Sequence, residues 1–201
     1  VHEGASRGSA WSRALELLKA VRISAPEMRV REYPHQMSGG MRQRIVGAIA
    51  ISCEPRLLIA DEPTTSLDLT IQAQYLNLLR ELQRAHHLAL IFITHNLGIV
   101  AKMCDQVAVM YGGRLVESGP IAQIYNAPAH PYTRALLESI PRLADSRKRL
   151  TAIDGQPPDP AALPGGCAFH PRCPKVMDRC REEAPPESRV SASHTSRCWL
   201  S

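Results

Sequence analysis

A chain of 201 residues has room for one ordinary domain and an appendage, and its 44% hydrophobic and 21% charged residues exclude global disorder. The longest apolar runs, Ile45–Ile51 and Leu88–Ile93, are far too short to span a bilayer. The net charge of +5 rests on twenty Arg and only four Lys, which falls short of the dense basic patch of a dedicated nucleic-acid binder. Val1–Ala10 is small and polar, without the apolar block of a secretion signal. The first residue is not Met, so the chain reads as a fragment or a processed product.

Three regions separate by composition, at 1–56, 57–126 and 127–201. The first is helical in pattern, with a stripe of Trp11, Ala14, Leu15, Leu18 and Val21. A polar break containing Pro34 follows, and Ser38-Gly39-Gly40 then opens a helix over Met41–Ser52. The second region alternates short apolar runs with helices. Leu57–Ala60 runs into Asp61, an amphipathic helix covers Ile71–His86, and Leu88–Thr94 and Gln106–Met110 are the next runs. Solidly apolar strands separated by helices predict an α/β fold, with these three strands parallel in one buried sheet. Gly112-Gly113 turns the chain into Arg114–Glu117, the predicted antiparallel hairpin partner. Beyond Ala127 the chain becomes rich in Pro, Arg and Cys, with one predicted helix at Pro131–Ser139.

Three short segments carry the chemistry. Asp61 and Glu62 end an apolar strand, and open α/β sheets bind ligands at the carboxyl ends of their strands. Asp61 there can hold Mg²⁺, and Glu62 can polarise a water for attack on a γ-phosphate. A solvated turn would use the same two residues. Ser38-Gly39-Gly40 before a helix offers backbone amides and a hydroxyl to an anion, although an ordinary helix cap reads identically. His95 follows the run Leu90–Thr94, at the same predicted sheet edge as Glu62.

In order and spacing, the three together are far more specific than apart. Tyr33-Pro34-His35-Gln36-Met37-Ser38-Gly39-Gly40-Met41-Arg42-Gln43-Arg44 closely resembles the signature loop of ABC-type ATPases. Asp61-Glu62-Pro63-Thr64-Thr65-Ser66-Leu67-Asp68 resembles their Walker B strand running into the D-loop, and Ile93-Thr94-His95-Asn96 their switch histidine. Met37 stands where Leu is usual, and Ser66 where Ala is usual. The resemblance implies an ABC-type ATPase domain that pairs head to tail with a second one around two ATP molecules. On that pattern Ser38, Gly39, Gly40 and Gln43 contact ATP held mainly by the opposite domain. Asp61 serves Mg²⁺, Glu62 is the base, His95 clamps the γ-phosphate, and Asp68 lies at the dimer seam.

ATPases of this kind also carry a Gly-x-x-x-x-Gly-Lys-Ser/Thr phosphate cradle. This sequence has no Gly-Lys dipeptide, since Lys19, Lys102, Lys148 and Lys175 follow Leu, Ala, Arg and Pro. The chain is therefore expected to begin inside the helical subdomain and to show little ATPase activity alone. It is either the carboxyl portion of a longer ATPase or a truncated, non-catalytic remnant.

The tail narrows the family. His130-Pro131-Tyr132-Thr133-Arg134-Ala135-Leu136-Leu137 with Ile140-Pro141, and Phe169-His170-Pro171-Arg172-Cys173-Pro174, resemble the carboxyl-terminal extension of the oligopeptide/dipeptide (and nickel) importer ATPases. This implies a peripheral subunit on the cytoplasmic face of the membrane, docked on permease subunits. It would pair with a like or sister ATPase, and an extracytoplasmic peptide-binding protein would feed the permease. A soluble ABC protein acting on nucleic acid or ribosomes is the competing class. That class would bring a second cassette and no His-Pro-Tyr tail, so no nucleic-acid partner is expected.

Six cysteines complete the inventory. Cys53 and Cys104 lie in apolar segments and read as small buried hydrophobes. Cys167, Cys173, Cys180 and Cys198 crowd a tail that is otherwise irregular and too poor in aliphatic residues to fix itself by burial. Without a secretion signal, a metal or cluster site is the expected reading over disulfides. Zinc sites favour tight C-x₂₋₄-C pairs, which are absent, yet zinc, disulfides or no ligand all stay open. The resemblance to cluster-bearing peptide-importer ATPases implies a structural [4Fe–4S] cluster on these four thiolates, with His170 and His194 as bystanders.

Overall fold

A computed structural model describes residues 4, 6–140 and 152–201; Pro141 of the tail motif and Lys148 lie outside them. The chain forms two compact units, one ending at His95 and one starting at Asn96.

The first unit is built on helices. In α1 (Arg7–Ala20), the Ser6 hydroxyl accepts from the Ser9 amide and so starts the helix. A short α2 (Pro26–Arg29) follows, then α3 (Gly39–Ile51), β1 (Leu57–Asp61), α4 (Leu69–His86) and β2 (Ala89–Ile93). On α4, Tyr75, Leu76, Leu78, Leu79 and Leu82 are buried, a helical stripe contributing on the order of 10 kcal/mol of gross burial. Leu18, Val21, Ile23, Ala48, Ile51, Ala60 and Leu88 are buried as well. His87 then ends α4 in the left-handed conformation, donating its amide to the Gln83 carbonyl.

Strands β1 and β2 pair in parallel, from Leu57 opposite Ala89 to Asp61 opposite Ile93, with α4 as the crossover. Among the described residues this sheet is not covered on both faces as expected. Leu57, Ile59, Ile91 and Ile93 are exposed, and the residues alternating with them turn inward.

The second unit corrects the predicted sheet. It comprises α5 (Leu97–Met103), β3 (Gln106–Tyr111), β4 (Arg114–Pro120), α6 (Ile121–Asn126), α7 (Pro131–Glu138), α8 (Asp178–Glu182), β5 (Ser188–Ser191) and β6 (His194–Ser196). Gln106–Tyr111 does not pair into the sheet of β1 and β2. It is antiparallel to β4, in a separate sheet ordered β3-β4-β6-β5. Gly112 and Gly113, at φ 54° and 74°, supply the two left-handed positions of a tight hairpin turn. The hairpin pairs β3 with its chain neighbour before any long crossover is needed.

The tail is less irregular than its composition suggests. Its β6 adds to β4, and Phe169 enters a core with Val109, Tyr111, Val116 and Ile124. Phe169 is 1% exposed and stacks edge-on against Tyr111, at a centroid distance of 5.2 Å. Burying a phenyl ring of about 150–250 Å² is worth roughly 4–6 kcal/mol gross, so one aromatic anchors what aliphatics do not. The two isolated cysteines also depart from expectation. Cys53 is exposed, because α3 has already ended at Ile51, and Cys104 is half-buried at the end of α5. No helix among the described residues is long and apolar enough to cross a membrane.

Candidate functional site

The end of β1 is where the backbone leaves regular geometry. Glu62 adopts φ +43°, a left-handed conformation that costs a non-glycine residue about 1–2 kcal/mol. The surroundings over-determine it. Its amide donates to the Ile93 carbonyl at 2.9 Å, and its carbonyl accepts from the Thr65 amide at 3.3 Å. Its carboxylate is held at both oxygens. Oε1 accepts from the His95 amide at 3.2 Å and lies 2.7 Å from His95 Nδ1, while Oε2 accepts from the Thr65 hydroxyl at 2.7 Å. The Thr65 hydroxyl first, and His95 second, hold the Glu62 carboxyl below the ordinary carboxylate range.

The adjacent ends of β1 and β2 therefore bring Glu62 and His95 together. A carboxylate accepts only, so Nδ1 of His95 carries the proton and Nε2 faces away from the pair. Nε2 donates to an anion when the ring holds both protons. Asp61, the last residue of β1, is exposed, and its carboxylate makes no hydrogen bond or ion pair with another described residue. An open carboxylate beside the pair suits a hard divalent cation such as Mg²⁺.

Ser38 caps α3, its hydroxyl accepting from the Met41 amide at 3.3 Å. The two glycines behind it differ. A Cβ on Gly39 would meet nothing, whereas one on Gly40 would stand 2.8 Å from Ile71 Cγ2. Gly39 leaves the helix start open to a ligand, and Gly40 lets α4 approach. Gln43 lies on the next turn of α3, on the same helix as the signature residues. Asp68 caps α4, with Oδ1 accepting from the Thr70 and Ile71 amides at 3.0 Å each.

In the second unit Cys167, Cys173, Cys180 and Cys198 all line one small pocket, together with His130, His170 and Phe169. All four are free thiols. Burial pushes Cys167, Cys173 and Cys198 up from the usual thiol range. Among the described residues, no group of three or more His, Cys, Asp or Glu side chains is placed to hold a metal ion.

Comparison with known proteins bears on both halves. The ABC transporter family model matches residues 2–65, and the model of the oligopeptide/dipeptide transporter C-terminal region matches 116–180. The dipeptide transport ATP-binding protein DppD of Bacillus subtilis is 51% identical over 199 residues, covering 99% of this chain and 59% of that protein. The Escherichia coli protein of the same name is 47% identical over 198 residues, covering 98% of the chain and 61% of that protein. Over nearly its whole length the chain is thus similar to proteins named for dipeptide transport, with one segment matching the ABC transporter family and another the oligopeptide/dipeptide transporter C-terminal region. It spans about 60% of the length of the curated relatives it matches.

Two features of the structure carry no readable signal in the sequence. Thr65 stands within the Walker B–D-loop segment without a role, although its distance of three residues from Glu62 allows a turn contact. Glu117 and His194 form a buried pair, Oε1 to Nε2 at 2.7 Å, across 77 positions of sequence. Glu117 also accepts the Ala129 amide at 2.6 Å and the His130 amide at 3.0 Å, which fixes the entry to α7. His194 is thereby tied into the fold through Glu117. A lone Glu on a strand and a distant His carry no readable signal of such a pairing.

Proposed function

We propose that this chain belongs to the ATP-hydrolysing subunit of an importer of oligopeptides or dipeptides. The observation that carries the reading is the contact of Glu62 with His95 at 2.7 Å on adjoining ends of parallel strands. Glu62 takes a proton from the attacking water, and His95 directs Nε2 toward the γ-phosphate. Asp61 would hold Mg²⁺, which neutralises phosphate charge. Ser38, Gly39, Gly40 and Gln43 engage the nucleotide of a second ATPase domain, and Asp68 lies at the seam between the two. In the complete subunit, Glu62→Gln should retain ATP binding and lower hydrolysis by about 10²–10⁴-fold. Near-normal turnover would remove Glu62 from the role of base.

The tail supports the substrate class, since His130-Pro131-Tyr132 lies inside the matched oligopeptide/dipeptide region and the two relatives are named for dipeptide transport. Such a subunit works peripherally at the cytoplasmic face of the membrane, on permease subunits that receive peptide from an extracytoplasmic binding protein. The four thiols of the tail are assigned to a [4Fe–4S] cluster that holds the tail in place. Their number and shared pocket support this reading. Anaerobically purified protein should be brown, with about four irons per chain. Colourless, iron-free protein would overturn the assignment.

A further inference from the structure

The loop between Glu62 and α4 contains a side chain whose geometry serves the carboxylate. Thr65 Oγ1 donates to Glu62 Oε2 at 2.7 Å, while both His95 donors fall on Oε1. An ionised carboxylate offers about two lone pairs on each oxygen. Oε1 has both of its own engaged by His95. Oε2 has one engaged by Thr65 and one left over. The single acceptor position remaining for a water proton is thus on the oxygen that Thr65 holds. The titratable groups beside this carboxylate are His95, at the end of β2, and Asp61, its chain neighbour on β1.

Thr65 is itself fixed at both ends. Its amide donates to the Glu62 carbonyl, the Leu67 amide donates to the Thr64 carbonyl, and Asp68 caps α4 three residues on. The hydroxyl therefore sits on a short, hydrogen-bonded bridge between a strained residue and the start of an eighteen-residue helix. Thr64, next to it, is buried at 6% exposure, which leaves Thr65 as the outward threonine of the pair.

We propose that Thr65 is a positioning residue, which orients Glu62 so that Oε2 keeps one lone pair aimed at the attacking water. The proposal rests on Glu62 being the base. Its test is made in the complete subunit. Thr65→Val, which keeps the shape and removes the donor, should lower kcat about tenfold, the size of one oriented hydrogen bond to a charge, with KM for ATP unchanged. Thr65→Ser should restore kcat, because it returns the donor with less bulk. In the Glu62→Gln background, Thr65→Val should add no further loss, since the two act as one unit. Unchanged kcat in Thr65→Val, an effect confined to KM, or losses that multiply in the double variant would each overturn the proposal. A Glu62→Gln variant with normal turnover would instead sink the assignment of the base, so the two failures are distinguishable.

Discussion

The two units each contain a glutamate–histidine pair with the same 2.7 Å separation, in opposite settings. Glu62 and His95 have side chains 37% and 79% exposed, whereas Glu117 and His194 are 0% and 3% exposed. The exposed pair is built on backbone strain, and its remaining acceptor and donor positions face outward. The buried pair spends Glu117 on the Ala129 and His130 amides and on His194, and the one acceptor position left on Oε2 is closed to solvent. Equal distance thus says little about role. What separates a reactive pair from a structural one is whether the capacity left over after internal bonds are counted is open to solvent.

Crossing the two pairs gives the largest effects. Glu62→Gln should act on turnover and leave amide exchange of both units unchanged, because an exposed carboxylate is replaced by its isostere. Glu117→Ala should do the reverse to the second unit. It orphans two buried amides and a buried imidazole, and breaking a buried pair costs about 3–5 kcal/mol. Hydrogen exchange of the β3 and β4 amides should rise accordingly, by roughly two to three orders of magnitude. Protection unchanged by Glu117→Ala would show that the pair does not hold the unit together.

The contrast also marks what the sequence could reveal. Asp61, Glu62 and His95 were legible because they end apolar runs, and because a turn of Ser-Gly-Gly at the right distance accompanies them. The helix at Pro131 was legible through the proline at its first turn and the stripe that follows. Gln106–Met110 is a strand and pairs antiparallel with Arg114–Glu117 as expected, but it does not join β1 and β2, since an apolar run encodes burial and not its pairing partners. Phe169 and Glu117 were opaque for a different reason. Their partners come from distant segments, and nothing local distinguishes a buried Glu from a solvated one.

An intermediate effect should appear with pH. His130 is 1% exposed, and burial lowers its pKa from 6.5 to about 4, against an opposing pull from the Glu117 carboxylate. Its Nδ1 accepts the Tyr132 amide at 3.1 Å and caps α7, a role open only to the neutral ring. The folded state therefore disfavours the proton that the unfolded state takes up near pH 6.5. The stabilisation is fully present above that value and is lost as pH falls from about 6.5 to 4, up to about 3 kcal/mol. His130→Asn keeps a capping acceptor that does not titrate in this range. Unfolding of the second unit should lose this slope in the variant and keep it in the parent. An identical slope in both would assign the acid sensitivity to other groups.

The smallest effect separates two neighbouring glycines of the first unit. A methyl on Gly40 would meet Ile71 Cγ2 at 2.8 Å, and Ile71 is β-branched and seated in the first turn of α4, so it yields little. Gly40→Ala should therefore destabilise the unit by about 1–2 kcal/mol and lower turnover along with it. Gly39 has open space where its methyl would go. Placed in a helix, alanine there is neutral or stabilising by up to about 1 kcal/mol, through the lost freedom of the unfolded chain. If a nucleotide phosphate approaches Gly39 across the dimer, the same methyl occupies the approach. Gly39→Ala should then raise or preserve the melting temperature of the complete subunit while reducing its ATP turnover, a divergence that Gly40→Ala cannot show. Parent-like turnover in Gly39→Ala would mean that the open side of this helix start is solvent alone.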